Sequence, residues 1–144
     1  MIIDRLTKPR PLLAALWIVF IIGCAGKATT YPARGTVTFP DGKPLAGAVV
    51  TLRSISHERP VTARGRTNAG GTFTLSTFKP DDGALAGQHQ AIVAVPVVES
   101  DGPFAKPPVD PRFSDYVTSG LEFTVSEDPE QNRFEIVVTP PQTK

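Results

Sequence analysis

From Arg34 to Thr139 the chain repeats one device: short runs of alternating apolar and polar residues, each stopped by turn-forming residues. Side chains of an extended backbone point to opposite faces in turn, so period-two alternation makes a strand with one apolar side. Val37 and Phe39 share a face against Thr36 and Thr38, and Ala48, Val50 and Leu52 point inward with Thr51 and Arg53 outward. Phe73 and Leu75 stand between Thr72, Thr74 and Ser76. Leu121, Phe123 and Val125 alternate with Glu122, Thr124 and Ser126, and Phe134, Ile136 and Val138 with Glu135 and Thr139. Two runs differ. Val61 to Thr67 is polar, with Arg64 and Arg66 at alternate positions, which suits an edge strand. Gln90 to Val98 is apolar on both faces, as expected of a central strand covered on two sides.

Between the runs lie Pro40-Asp41-Gly42, Asn68-Ala69-Gly70-Gly71, and Glu127 to Asn132 with Pro129 inside it. Pro fixes its own φ, Asp and Asn bond their own backbone, and Gly accepts φ > 0. Fifteen Pro and twelve Gly among 144 residues favour many turns over long helices, and no stretch of ten or more residues after Cys24 carries a helical apolar stripe. The expectation is an all-β, seven-stranded antiparallel β-sandwich. Its expected core is Phe39, Val50, Leu52, Phe73, Leu75, Val93, Val95, Leu121, Phe123, Ile136 and Val138.

The first 23 residues follow another rule. Arg5, Lys8 and Arg10 face a single acid, Asp4, and Leu12 to Ile22 are eleven uninterrupted apolar residues. That charge-then-apolar order is the order of a secretory signal peptide. As a helix the apolar run reaches roughly 16 Å at about 1.5 Å per residue, about half a hydrocarbon core. The run closes on Ile21-Ile22-Gly23-Cys24, and Cys24 is the chain's one cysteine. This sequence resembles the lipobox of bacterial lipoproteins. The resemblance implies cleavage before Cys24, acyl lipid on Cys24 as the lipid attachment residue, and export to a membrane surface. Stable anchoring needs more than one chain, and proteins of that kind carry two or three. Ala25 replaces the Asp that in many of them retains the protein at the inner membrane, so the outer membrane is favoured. Two other readings stay open: an uncleaved anchoring helix, and a plain signal peptide cut elsewhere.

Removal of residues 1–23 leaves 121 residues, enough for one domain, with 12 basic against 13 acidic side chains. No basic stripe suggests nucleic acid and no acidic tail suggests cation buffering. With Cys24 modified no thiol remains, so the domain depends on its core rather than on disulfides. Residues 24–32 read as the lipidated Cys and a flexible tether, 33–140 as the sandwich, and 141–144 as a tail.

Gly35-Thr36-Val37, followed by Asp41-Gly42-Lys43-Pro44-Leu45-Ala46-Gly47-Ala48-Val49-Val50, is similar to the opening of the carboxypeptidase regulatory-like family. Thr67 to Leu75 resembles its second hallmark, with Asn68 where Asp is common, and Gly87 to Val95 resembles a valine-rich third piece. Tyr116 to Val125 is similar to the C-terminal part of small bacterial lipoproteins built on this domain. The resemblance spans roughly residues 33–139. It implies a transthyretin-like, immunoglobulin-related sandwich in which Leu45 caps one end, a fold that hosts many roles.

Chemistry-bearing residues are sparse. His57 sits beside Glu58 in a polar loop, and His89 lies between Gln88 and Gln90 at a strand start. Neither has the nearby His partner of a zinc site, and both read as surface or strand-end imidazoles. There is no G-x-S-x-G elbow. Asp81-Asp82-Gly83 offers one carboxylate pair where a calcium loop wants several, and reads as a solvated turn. The lone Trp lies in the removed peptide, and Tyr31, Phe78, Phe104, Phe113 and Tyr116 read as covers for the sandwich ends. Residues 99–119 form the longest stretch without alternation, and four prolines keep them out of a sheet interior. The leading reading is that its aromatics pin the loop across one sandwich edge; the second makes Phe104, Lys106, Arg112, Phe113 and Tyr116 candidate partner-binding residues, and the third is simple disorder.

The expected function is a non-enzymatic, membrane-anchored lipoprotein presenting the sandwich as an interaction or structural module at the cell envelope. No metal and no cofactor beyond the acyl lipid on Cys24 is expected. The partners are the membrane, through the lipid, and an envelope protein or polysaccharide, not nucleic acid. The alternatives are a carbohydrate or small-ligand binding protein and, third, an enzyme.

Overall fold

A computed structural model describes residues 28–96 and 107–142. Nine strands are present among them: β1 (Thr30–Tyr31), β2 (Arg34–Thr38), β3 (Val49–Ser54), β4 (Thr62–Arg66), β5 (Thr72–Thr74), β6 (Ala84–Leu85), β7 (Gly87–Ala94), β8 (Leu121–Val125) and β9 (Arg133–Val137). They form a four-stranded sheet in the order β4-β3-β7-β8, a three-stranded sheet in the order β5-β2-β9, and a two-stranded ribbon of β1 and β6. The described residues are all-β and sandwich-like, with 3-10 turns at Pro111–Ser114 and Pro129–Gln131 capped by Asp110 and Asp128. None of their helices is long and apolar enough to cross a membrane.

The core lies between the two larger sheets. Val37, Phe134, Ile136 and Val138 meet Val50, Leu52, Ala63, Ala91, Val93 and Val125, with Phe73 and Leu75 between them. Of the expected core, Val50, Leu52, Phe73, Leu75, Val93, Ile136 and Val138 are buried, while Phe39, Val95, Leu121 and Phe123 are half-buried and packed against it. Leu45, 5% exposed, joins the same core. The turn ahead of it is built as its residues dictate: Gly42 takes φ 83, its N–H donates to the Phe39 carbonyl, and the Lys43 N–H donates to Asp41. The strands on either side do not pair. Instead β2 and β3 enter different sheets.

Five expectations need correction. The count is nine strands rather than seven, because Thr30–Tyr31 and Ala84–Leu85 pair as a ribbon too short to show periodicity. Residues 30–31 are therefore part of the fold and not of the tether. The three-stranded sheet is mixed rather than antiparallel: β2 and β9 run parallel, Arg34 opposite Arg133 through Thr38 opposite Val137, while the four-stranded sheet is antiparallel throughout. The two faces of β7 also differ. His89, Ala91 and Val93 are buried, whereas Gln88 is exposed and Gln90, Ile92 and Ala94 are half-buried. Lastly Thr51, on the outer face, is 7% exposed because its register neighbours Arg64 and Ile92 flank it.

As expected, β4 is an edge strand of its sheet. It is nevertheless tied to the other sheet. Arg64 and Ser76 exchange backbone hydrogen bonds at 2.8 Å, just beyond β5, so the two sheets run into one another at this corner. The outer faces of β4, β5, β2 and β9 thereby become one continuous surface.

Candidate functional site

That surface is a groove of about 720 Å³, within the range of small-molecule and cofactor sites. Strand alternation builds it. In β4, Ala63 and Gly65 face the core while Thr62, Arg64 and Arg66 face out. In β5 the outward positions are Thr72 and Thr74, in β2 Arg34 and Thr36, and in β9 Arg133 and Glu135. Arg34 stands opposite Thr74 on one side and Arg133 on the other, and Thr36 opposite Thr72 and Glu135. Four arginines thus line the groove with three threonines and Ser76, against two acids, Asp81 and Glu135.

The charges are poorly compensated. Among the described residues the ion pairs are Lys43 with Asp41 and Arg133 with Glu130. Arg34, Arg64 and Arg66 have no carboxylate within ion-pair distance among those residues. Arg34 and Arg133 also sit on one face of directly paired strands, a like-charge arrangement that opposes sheet formation. An anion between them would reverse the sign of that contribution. Beneath the groove, Phe73 and Phe134 are 3% and 7% exposed. The Phe73 ring is admitted by two glycines: a Cβ at Gly35 would strike it and the Phe134 carbonyl, and one at Gly65 would lie 3.1 Å from it. What the groove offers a ligand is therefore guanidinium and hydroxyl, with the rings withdrawn beneath.

The residues expected to carry function lie elsewhere. Cys24, Ile21, Ile22, Gly23, Phe104 and Lys106 fall outside the described residues. Phe113 is 2% exposed and belongs to the core, so it is not offered to a partner. Arg112 is exposed and lies over the Phe113 ring at 4.5 Å. Tyr116 is half-buried beneath the Arg53 guanidinium, 4.0 Å from the ring centroid, and Arg53 is in turn bonded to Gln90 at 2.9 Å. Burial pushes the Tyr116 hydroxyl above its ordinary pKa, with Arg53 and Arg64 pulling the other way. Described residues 107–119 cross between the sheets, held by Asp110 N–H to the Thr139 carbonyl at 2.8 Å and by Ser119 Oγ to the Ala91 carbonyl at 2.7 Å. None of Arg112, Phe113 and Tyr116 lines the groove, though Tyr116 lies near enough to Arg64 to feel its charge.

Two other expectations change. His89 is 1% exposed rather than a surface imidazole, its Nδ1 3.0 Å from the Gly87 carbonyl. Phe78 covers no sandwich end, being 58% exposed. Asp82 is committed to the backbone: its carboxylate accepts from the N–H groups of Thr77, Phe78 and Lys79 at 2.6–3.0 Å. Burial raises its pKa, but those three bonds outweigh it and hold the net value below the ordinary range. No cluster of three metal-ligating side chains occurs among the described residues.

Arg64 and Arg66 are visible in the sequence as alternate charges on one strand. Their meeting with Arg34 and Arg133 depends on the corner between sheets and on the parallel pairing of first and last long strands. Both are non-local. Compared with family models, with curated proteins and with solved structures, the chain gives no match.

Proposed function

We propose that this chain is a non-enzymatic lipoprotein of the bacterial cell envelope. Cys24 carries the acyl anchor, and a carboxypeptidase regulatory-like sandwich of the transthyretin and immunoglobulin type is presented as an interaction module, with the outer membrane as its favoured site. One observation carries the interaction reading: the open groove, in which Arg34, Arg64 and Arg66 have no carboxylate partner among the described residues and Arg34 and Arg133 stand side by side. A surface of that kind is arranged for a ligand rather than for fold stability, since exposed like charges weaken a sheet. The sequence motif Ile21-Ile22-Gly23-Cys24 supports the anchor, and the first strand starts at Thr30, six residues beyond Cys24.

The experiment is recovery of partners from native membranes with the anchor intact. Wild type should retain an envelope component that the double variant Arg34→Gln, Arg64→Gln loses. Cys24→Ser should move the protein out of the membrane fraction. Persistence of the full N-terminus in the membrane with Cys24→Ser would refute the anchor, and equal recovery by the double variant would refute the groove. The second reading, a binding protein for carbohydrate or another small ligand, draws on the hydroxyl groups of Thr36, Thr72, Thr74 and Ser76 in the same groove.

A further inference from the structure

The groove has a length as well as a charge. Ser76 is bridged to Arg64 on β4, Thr74 lies two residues before it and pairs with Arg34 on β2, and Arg34 pairs with Arg133 on β9. The path from Arg64 to Arg133 therefore crosses three inter-strand spacings, roughly 14 Å at about 4.8 Å each. Arg66, two residues from Arg64 on the same face of β4, widens one end. A single small oxyanion is filled by one or two guanidinium forks. A row of this length, with hydroxyls between the cations, matches a chain bearing repeated anionic groups.

The walls also discriminate among chains. Protein partners are held by aromatic and arginine anchors packed in desolvated pockets, and single-stranded nucleic acid is held by stacking on exposed aromatics. This groove exposes no aromatic to either: Phe73 and Phe134 are nearly sealed, and Gly35 and Gly65 present no side chain. A peptide adding to the sheet would also use the free edge of β9 rather than a path across four strands. Guanidinium forks read carboxylate or sulfate bidentately, and threonine and serine hydroxyls exchange hydrogen bonds with sugar hydroxyls in either direction.

We propose that the groove formed by Arg34, Arg64, Arg66 and Arg133 with Thr36, Thr74 and Ser76 is a binding site for an anionic polysaccharide. The sugar hydroxyls lie on the threonine and serine floor and the acidic groups on the arginines. This rests on the reading of the groove as the contact face and names its ligand class. The proposal commits to the carbohydrate chain, and both carboxylated and sulfated glycans fit it.

The test is affinity electrophoresis and calorimetry of the full, detergent-extracted protein. The probes are polygalacturonate, dextran sulfate, neutral dextran, polyglutamate and inorganic phosphate. Polygalacturonate or dextran sulfate should bind, with affinity falling as salt is added, and the double variant Arg34→Gln, Arg64→Gln should bind at least tenfold more weakly. Arg59→Gln, an exposed arginine outside the groove, should leave binding unchanged, and a thermal melt of each variant verifies folding. The two acidic glycans compared tell which anionic group is preferred. Equal binding of neutral dextran, or of polyglutamate at matched charge, would overturn the proposal by showing that charge and sugar are not read together. Saturation of the groove by inorganic phosphate with no gain from a polymer would overturn it as well. If no glycan binds while the membrane recovery described above still depends on Arg34 and Arg64, the ligand class is wrong and the groove as contact face stands. If both fail, the contact face is wrong too.

Discussion

Phe73 is the side chain on which both sheets close, buried between Gly35 and Gly65 and carried on a strand of only three residues. Truncation to Ala leaves a cavity that strands on either side cannot fill, and a loss of about 3–5 kcal/mol is expected. The converse change also destabilises: Gly35→Ala drives a methyl into the Phe73 ring and the Phe134 carbonyl, at a cost of about 1–3 kcal/mol. Urea unfolding of both variants checks the pair, and a neutral Gly35→Ala would show that the ring has room to move. His89 adds a pH dependence. Burial holds its pKa below the ordinary 6.5, the nearby His57 acts in the same direction, and the hydrogen bond to the Gly87 carbonyl opposes them. The folded state therefore resists a proton that the unfolded chain accepts below about pH 6.5, so unfolding takes up a proton there. Stability should fall as pH drops from 7.5 to 5.5, and His89→Gln should flatten that slope. Asp82 responds in a lower window: its pKa is depressed, so its contribution is present above the unfolded value near 3.8 and lost as pH falls through the folded one.

At the scale of elements, alternation is legible where a run is long enough to show it. Val37, Val50, Leu52, Leu75, Ile136 and Val138 are buried as their period-two placement requires. The ribbon of Thr30–Tyr31 and Ala84–Leu85 has no period to read, and it is held by a contact that only folding creates. Gly83 sits at φ 85, where any Cβ would collide with the Tyr31 carbonyl. The parallel pairing of β2 with β9 joins residues 99 positions apart, and no local pattern announces it. Residues 107–119 show the opposite weakness, since aromatics spaced among prolines read as cover or as contact. Burial separates them. Phe113→Ala should cost about 3–5 kcal/mol as a core truncation, while Arg112→Ala, exposed, bonded to Asp110 only through its backbone and losing only its contact over the Phe113 ring, should stay within about 1 kcal/mol. Chemical denaturation of the two neighbouring variants gives the answer directly, and similar costs would place the loop's contribution in its backbone instead.

For the whole molecule, charge totals conceal what position reveals: near-neutral composition gives no hint of a groove in which four arginines stand against two acids. Placement relative to the proposed anchor follows from chain length. Six residue steps separate Cys24 from Thr30 and span at most about 22 Å at roughly 3.6 Å each. The ribbon end of the domain is thus the end nearest the lipid. On it, Ala28, Thr29 and Thr30 share a surface with Phe78 and Lys79, and the three backbone bonds to Asp82 hold the exposed Phe78 in place. An aromatic beside a cation at that level suits a membrane interface, where amphipathic and cationic side chains collect. The sequence supplies a clean probe, since its one Trp precedes Cys24 and would be lost with the proposed signal peptide. In vesicles carrying the lipidated protein, Phe78→Trp emission should be quenched by brominated acyl chains. Lys43→Trp should not be. Its turn lies beyond the far end of β2, a strand that carries the chain about 16 Å at roughly 3.3 Å per residue. Equal quenching at both positions would mean that the domain does not stand on its ribbon end, and the orientation argued from tether length would fall.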